Sequence, residues 1–441
     1  MDRPKFICRK PGPRSVKIIE RDQRVISSCV TREYSFVYKR AKGMNLWDVD
    51  GRKYLDFAAG IAVMNIGHNN PVVHKALHQQ IKYGTHAAFA DFYAETPVRF
   101  VENLLTFLPG HLNMAYLSNS GTESVEAAFK AARWHTNKKW TIAFKPCFHG
   151  RTMGSLSMTN SRPVQRRRFT PLLPVKHSSY PYLYRCRYDS SDRKACVNSY
   201  ISELEKTMRS CKGNLASVFM EPVSGEGGYI VPPKDFVRGV RELCDKYDAL
   251  MCMDEVQSGC YRTGKFLATE HFKVKPDIVS LSKAIGGGVP LGATVGRKDI
   301  MSWESGSHGT TFGGNLLACA AGNATLNFMR EKKLGENATR VGESMMKRLD
   351  EMKDSYEVIG DVRGLGLMIG IEIVQSKRTK APGVSERSEI LCKAAEKGLV
   401  LLPSGKSVIR ICPPLIINKK QSEIGLDMLE EAISEISSGS K

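Results

Sequence analysis

The stretch 276-PDIVSLSKAIGGGVPLGA-293 puts a lysine, Lys283, at the end of an apolar, strand-like run and just before three glycines. No carboxylate stands within five residues on either side of it. A buried lysine is costly unless it is paired or gives up its charge; the plain alternative is that the strand ends there and Lys283 points into water. Two other apolar runs end in acids. ALMCMD ends in Asp254, and LASVFME ends in Glu221 with Glu226 following in the same loop. An acid at a buried strand end calls for a cation. Asp254 and Lys283 can therefore form a structural ion pair, or both can face a bound molecule that needs a carboxylate on one side and an amine on the other. A further run, MAYLS, leads into 119-NSGTESVEAAFKAA. Ser120 three residues before Glu123 reads as a capping box. A Ser-Gly-Thr turn opening a helix is also a phosphate site, because free backbone N–H groups and the positive helix end meet there.

Amine, acid and phosphate nest, each on a different strand end, fit pyridoxal 5′-phosphate (PLP). That cofactor takes a Schiff base to a lysine, a carboxylate partner for its pyridinium nitrogen and a nest for its phosphate. Lys283 then needs no acid near it in sequence, because its partner is an aldehyde. The glycines after it let the backbone turn tightly.

These residues need elements that bring strand ends together. The apolar runs 114–118, 141–144, 215–221, 249–254 and 277–282 alternate with amphipathic stretches such as SVEAAFKAARWHT and KDFVRGVRELCDKYD. That alternation predicts an α/β domain with a largely parallel sheet, in which ligands bind at the C-terminal strand ends. Residues 1–65 differ, with hairpin signals in LWDVDGRKYLDF. Beyond residue 335 come a long charged helix, a Gly-punctuated strand DVRGLGLMIGIEIV and a C-terminal helix ending in SSGSK. The expected organisation is a large domain over 66–335 and a smaller one built from 1–65 with 336–441.

The bulk properties narrow the function classes. A chain of 441 residues with 42% apolar and 25% charged residues is that of an ordinary globular protein. No apolar run reaches the roughly 18 residues of a membrane span. The opening MDRPKFICRKPGPRSVK is charged throughout and is not a secretory leader, so the expected location is the cytoplasm. The net charge of +20 raises nucleic acid as a partner, but the positive charge is dispersed. Its densest cluster, Arg162 to Arg168, lacks interleaved aromatics and reads as a solvated loop. Cys186, Cys196 and Cys211 have separations that fit no usual zinc pattern, and neither a metal nor a disulfide is expected there.

The motifs LDFAAGIAVMNIGH, SNSGTESVEAAFKAAR, FHGRTMGSLSMT, EPVSGEGG, DEVQSGCYRTGK, SKAIGGGVPLGA, GTTFGGNLLACAA, VRGLGLMIGIE and VIRICPP occur in one order between about residues 45 and 435. Together they resemble a class III PLP-dependent aminotransferase, most closely the 4-aminobutyrate aminotransferases of archaeal type. The resemblance implies an α/β fold of PLP-dependent transferase fold type I, the aspartate-aminotransferase superfamily, with a large mixed-sheet domain and a small α+β domain. It implies a homodimer with shared sites and leaves open the pairing of dimers into a tetramer. It assigns the internal Schiff base to Lys283, the pyridine nitrogen to Asp254 and the ring hydroxyl to Gln257. Val256 and Phe148 cover the ring faces. Ser120, Gly121 and Thr122 hold the phosphate, with Thr311 coming from a second copy. Arg151 and Ile61 line the substrate side, and Glu226 and Arg410 form a switchable pair. The implied reaction moves the amino group of 4-aminobutyrate or a similar ω-amino acid to 2-oxoglutarate; an amino-acid racemase or an ornithine aminotransferase are the alternatives. Ser224, where the family often has Gln or another polar residue, and the segment PYLYRCRYDSSDRKACVNSY depart from the bacterial 4-aminobutyrate pattern.

Overall fold

The structure is a computed structural model that describes residues 10–188 and 192–438. The first nine residues of the charged opening segment and the last three of SSGSK lie outside it, as do residues 189–191. The chain forms two compact units, one of residues 71–336 and one of residues 1–70 with 337–441.

The unit of residues 71–336 is built on a seven-stranded sheet. Its strands are β1 (Met114–Ser118), β2 (Trp140–Lys145), β3 (Val175–Ser179), β4 (Leu215–Met220), β5 (Leu250–Asp254), β6 (Ile278–Leu281) and β7 (Gly292–Gly296). They lie in the order β1-β7-β6-β5-β4-β2-β3. β3, β2, β4, β5 and β6 pair in parallel, and β7 is antiparallel to both neighbours. Every residue of β4, β5 and β6 is buried, which is why their sequences read as unbroken apolar runs rather than alternating ones.

Helix α1 (Gly121–Thr136) starts where Ser120 Oγ accepts from the Glu123 N–H and ends at Asn137 in a left-handed C-cap. Its Val125, Ala128, Phe129 and Ala132 pack with Phe219, Cys252 and Ile278 in one core cluster. Each large side chain buried there contributes roughly 1.5–3 kcal/mol. That packing fixes the start of α1 over the C-terminal ends of the central strands.

The other unit carries two four-stranded sheets. LWDVDGRKYLDF forms the hairpin Asn45–Asp48 and Lys53–Asp56. DVRGLGLMIGIEIV, expected as one strand, is two: Ile359–Leu365 and Met368–Ile373 pair antiparallel around Gly366 at φ +55°. A two-residue connection with a glycine at positive φ reverses the chain, where the sequence reading kept it straight. Helix Lys419–Ser438 closes the described chain.

One expectation is corrected. Cys186 and Cys196 form a disulfide, with Cα atoms 6.7 Å apart. The loop after β3 folds back onto the first turn of helix Arg193–Arg209, which carries Cys196; linear spacing cannot show that fold-back. Cys211 is a buried free thiol. Among the described residues no cluster of His, Cys, Asp and Glu could hold a metal, and no helix is long and apolar enough to cross a membrane.

Candidate active site

Five parallel-running chain segments deliver their residues at one edge of the large sheet. β1 leads to Ser120, β2 to Phe148, β4 to Glu221 and Glu226, β5 to Asp254, Val256 and Gln257, and β6 to Lys283. This is the C-terminal edge, where open α/β sheets bind ligands.

Asp254 is 5% exposed. Its Oδ2 meets His149 Nδ1 at 2.8 Å and its Oδ1 accepts from Val256 N–H at 3.0 Å. Burial pulls the His149 imidazole down, but the nearby Cys147 sulfur and the Asp254 carboxylate pull it up, and it ends well above its usual value. The pair is thus a buried carboxylate held by an imidazolium. That bond fixes the orientation of the carboxylate, whose outer side suits a protonated pyridine nitrogen.

Lys283 follows the β6 end as the first residue of a 3-10 turn, Lys283–Gly286. Its backbone sits at φ +45°, in the left-handed region that costs a non-glycine residue about 1–2 kcal/mol. The chain continues through Gly287 and Gly288, both at positive φ, and returns as β7. The strain and the tight return together place Lys283 at the sheet edge.

The Ser120–Thr122 turn is a close-packed cradle. A Cβ on Gly121 would lie 2.7 Å from Val256 Cγ1, so only glycine lets the turn lie against the β5 loop. Thr122 Oγ1 is within 2.8 Å of Thr152 Oγ1 and 2.6 Å of Ser155 Oγ. Glu123 completes the cap by accepting from the Asn119 N–H at 2.6 Å. Beside this cradle, Gln257 Oε1 is buried without a hydrogen-bond partner among the described residues. A buried orphan amide group calls for a ligand atom, and it suits a ring hydroxyl. The residues present therefore fit PLP at four points: amine, acid, phosphate nest and hydroxyl partner.

Around this core, the Phe148 N–H donates to Glu221 Oε2 and the Gly225 N–H to Glu221 Oε1, each at 3.0 Å. Burial pushes the Glu221 carboxyl up to about 7. Glu221 thus ties the Phe148 loop to the Glu226 loop and is spent on structure. The Arg151 guanidinium lies 5.1 Å from the Phe148 ring centroid. Glu226 pairs with Arg162, Nη2 to Oε1 at 2.7 Å. Arg162 was read as part of a solvated loop; the structure makes it a partner of a candidate site residue.

Thr311 is exposed in the loop before helix Leu316–Glu331. Ile61 and Arg410 belong to the other unit. Ile61 is exposed at φ +65°, a strained value for a β-branched residue. Arg410 is buried on strand Val408–Ile411, opposite Gly370. Sequence reasoning missed His149 and Arg162. The available signal for His149 was its place in FHGR between a strand end and an arginine; Arg162 was hidden by its basic neighbours.

Residues 27–433 match the family model for class-III aminotransferases. Over 451 aligned residues, covering 100% of this chain and 94% of the relative, the chain is 36% identical to an alanine/serine racemase of Pyrococcus horikoshii. It is 36% identical to a 5-aminovalerate aminotransferase of Pseudomonas aeruginosa, covering 95% of this chain and 98% of the relative. Among solved structures, an amine transaminase from an uncultivated Pseudomonas species in its PLP-bound form superposes with a TM-score of 0.88 at 30% identity, over 93% of this chain and 98% of the other. With the strand-end lysine, the buried acid and the glycine cradle in place, the chain belongs to the class-III aminotransferase family, PLP-dependent enzymes of fold type I.

Proposed function

We propose that the protein transfers the amino group of 4-aminobutyrate, or a similar ω-amino acid, to 2-oxoglutarate in two half-reactions at one site. The observation that carries this reading is Arg151. Its guanidinium lies against the Phe148 ring and has no ion pair or hydrogen bond among the described residues. A planar guanidinium so placed suits the far carboxylate of an ω-amino acid, whose amine must reach the other end of the site. It suits equally the side-chain carboxylate of 2-oxoglutarate.

PLP, when bound, supplies the electron sink that lets the carbon bearing the nitrogen lose a proton. The chain's own residues do the rest. Asp254, fixed by His149, holds the proton on the ring nitrogen. Lys283 Nζ would hold the cofactor's aldehyde and would take the proton from the substrate carbon. Ser120, Gly121 and Thr122 bind the phosphate at the start of α1, with Thr311 supplied by a second copy of the chain. Gln257 takes the ring hydroxyl, and Val256 and Phe148 cover the ring faces. Ile61 lines the substrate side. Glu226 and Arg410 act as a pair: Arg410 is covered while an ω-amino acid is bound and is released to grip the α-carboxylate of glutamate. The acting form is a homodimer, and its place is the cytoplasm.

The similarity to an alanine/serine racemase favours a second reading. A racemase would use the same lysine and acid but return the proton to the opposite face of the α-carbon. It would leave Arg151 against a neutral side chain, at a desolvation cost. Arg151→Lys separates the two, because it keeps the charge and loses the planar fork. The expected outcome is a rise of about tenfold or more in the Michaelis constants for both 4-aminobutyrate and 2-oxoglutarate. Unchanged constants for both would remove Arg151 from the substrate site.

A further inference from the structure

The Arg151 guanidinium lies on the Phe148 ring, and the backbone on either side of Arg151 sets where it can reach. That backbone rests on one face of α1, the face shared by Thr122 and Glu126, which stand four residues apart on the helix. Before Arg151, Gly150 is packed against Thr122: at φ +133° a Cβ there would lie 2.2 Å from Thr122 Oγ1. After Arg151, the Thr152 N–H donates to Thr122 Oγ1 at 3.3 Å and the Thr152 hydroxyl donates to Glu126 Oε1. Thr152 is the N-cap of helix Met153–Met158, yet its side chain caps none of that helix's N–H groups. The first N–H groups of a helix have no carbonyl one turn back, and Ser155 is buried, so its N–H needs an acceptor. Glu126 Oε1 is that acceptor, at 2.9 Å. The contact is tight, since a Cβ on Gly154 would lie 2.0 Å from Glu126 Oε2. The upstream end of the segment is fixed separately by Thr159. Its Oγ1 accepts from the His149 N–H at 2.9 Å and the Gly150 N–H at 3.2 Å, and donates to the Gly150 carbonyl at 2.8 Å.

A guanidinium on a long side chain grips a carboxylate well only if its backbone is already fixed, because any freedom left in the segment is lost on binding. We propose that Glu126 is a positioning residue for Arg151. By tying Thr152 and Ser155 to α1 it holds the segment Gly150–Ser155 in place, and with it the span from the Ser120–Thr122 cradle to the guanidinium. Cofactor phosphate and substrate carboxylate are then set against each other by a single helix face. Glu126 acts through Thr152 and Ser155 and not on the reacting atoms. Its effect on ligands rests on the reading that Arg151 binds the substrate's far carboxylate. Its hold on the segment stands on the hydrogen bonds alone.

The test uses the PLP-loaded enzyme and two readouts. Dissociation constants for 4-aminobutyrate and for a carboxylate-free amine, 1-aminobutane, are taken from the spectral change on binding. Amide hydrogen exchange is followed across residues 150–156. The proteins are native, Glu126→Ala, Glu126→Gln, Arg151→Ala and the double variant Glu126→Ala/Arg151→Ala, each checked for cofactor content and thermal unfolding. Glu126→Ala is expected to weaken 4-aminobutyrate about tenfold while leaving 1-aminobutane within about twofold, and to speed exchange in 150–156 about tenfold. Glu126→Gln keeps an oxygen for both hydrogen bonds and is expected to recover most of both losses. With Arg151 gone there is no guanidinium left to place, so the double variant is expected to bind 4-aminobutyrate within about twofold of Arg151→Ala. Equal weakening of the two ligands, native exchange in Glu126→Ala, or a Gln variant no better than Ala overturns the proposal. If Arg151→Ala binds 4-aminobutyrate like native protein, the reading of Arg151 fails. Exchange then judges Glu126 by itself: faster exchange confined to 150–156 upholds the hold on the segment, and native exchange overturns it.

Discussion

Lys283 explains itself only when chemistry and backbone are read together. Its side chain is half-buried at the end of a buried strand, and its φ of +45° is one that glycine would take at less cost. A position that glycine would fill with less strain and that carries a lysine is read here as held for its amine. Lys283→Ala is expected to abolish the borohydride-reducible adduct and cut turnover by about 10³-fold or more, while the Ser120–Thr122 cradle still retains some cofactor; a reducible adduct in that variant would show that another lysine bonds PLP. Glu221 offers a test of pH dependence. Burial raises its carboxyl from 4.5 to about 7 in the folded chain. Between those values the unfolded chain binds fewer protons than the folded one, so this group's contribution falls as pH rises through that window and is flat above it. Gln does not titrate. The stability of Glu221→Gln relative to native is therefore expected to be more favourable at pH 8 than at pH 5, by up to about 3 kcal/mol, as read from paired thermal melts. A constant difference across that range would place the Glu221 ionisation in the ordinary carboxylate range.

The elements of the sheet work by ending together. Gly121 at the start of α1 and Val256 after β5 touch so closely that a methyl group at Gly121 has no room. Gly121→Ala is expected to push the Val256 loop outward, weaken PLP retention about tenfold and cost about 1–3 kcal/mol of stability; equilibrium dialysis of the cofactor, with retention equal to native, would contradict the cradle. Those same contacts show what the sequence could and could not tell. The strands ending at Met220, Asp254 and Leu281 were legible because burial on both faces makes them unbroken apolar runs, and the half-buried strand ending at Ser118 because its MAYL run is apolar. Val175–Ser179 is an edge strand with the polar sequence VKHSS, and Gly292–Gly296 is short and bounded by glycines, so neither carries a periodic signal. Lys283, Asp254 and the Ser120 turn stood out because each is a polar group where a strand should stop. His149 and Arg162 did not, because their importance lies in contacts with Asp254, 105 positions away, and with Glu226 in a separate loop.

For the molecule as a whole, the Cys186–Cys196 bond ties the loop after β3 to helix Arg193–Arg209. Tyr180, in the same loop, donates its hydroxyl to the Glu221 carbonyl at 2.8 Å, so the tied segment also braces the strand end that carries Glu221 and Glu226. Closing a ten-residue separation is worth about 2–3 kcal/mol in the chain-entropy account of disulfides. Cys186→Ser is expected to lower the melting temperature by a corresponding amount, and an unchanged Tm would show that the bond does not form in solution. Disulfides persist in oxidising compartments and are rare in the cytosol outside hyperthermophiles. The same melts on protein isolated with its thiols trapped therefore also bear on the proposed cytoplasmic location.

The central claim is that this class-III site moves an amino group between an ω-amino acid and 2-oxoglutarate. Its most direct test is to incubate PLP-loaded native protein with 4-aminobutyrate, 5-aminovalerate, L-ornithine and the L- and D-forms of alanine, leucine and methionine, each with and without 2-oxoglutarate, and to resolve the products by chiral chromatography. The account predicts L-glutamate from an ω-amino acid only when 2-oxoglutarate is present, at rates well above those for the neutral amino acids. Interconversion of the L- and D-forms of alanine, leucine or methionine without any 2-oxo acid, together with no glutamate from 4-aminobutyrate or 5-aminovalerate, would contradict it.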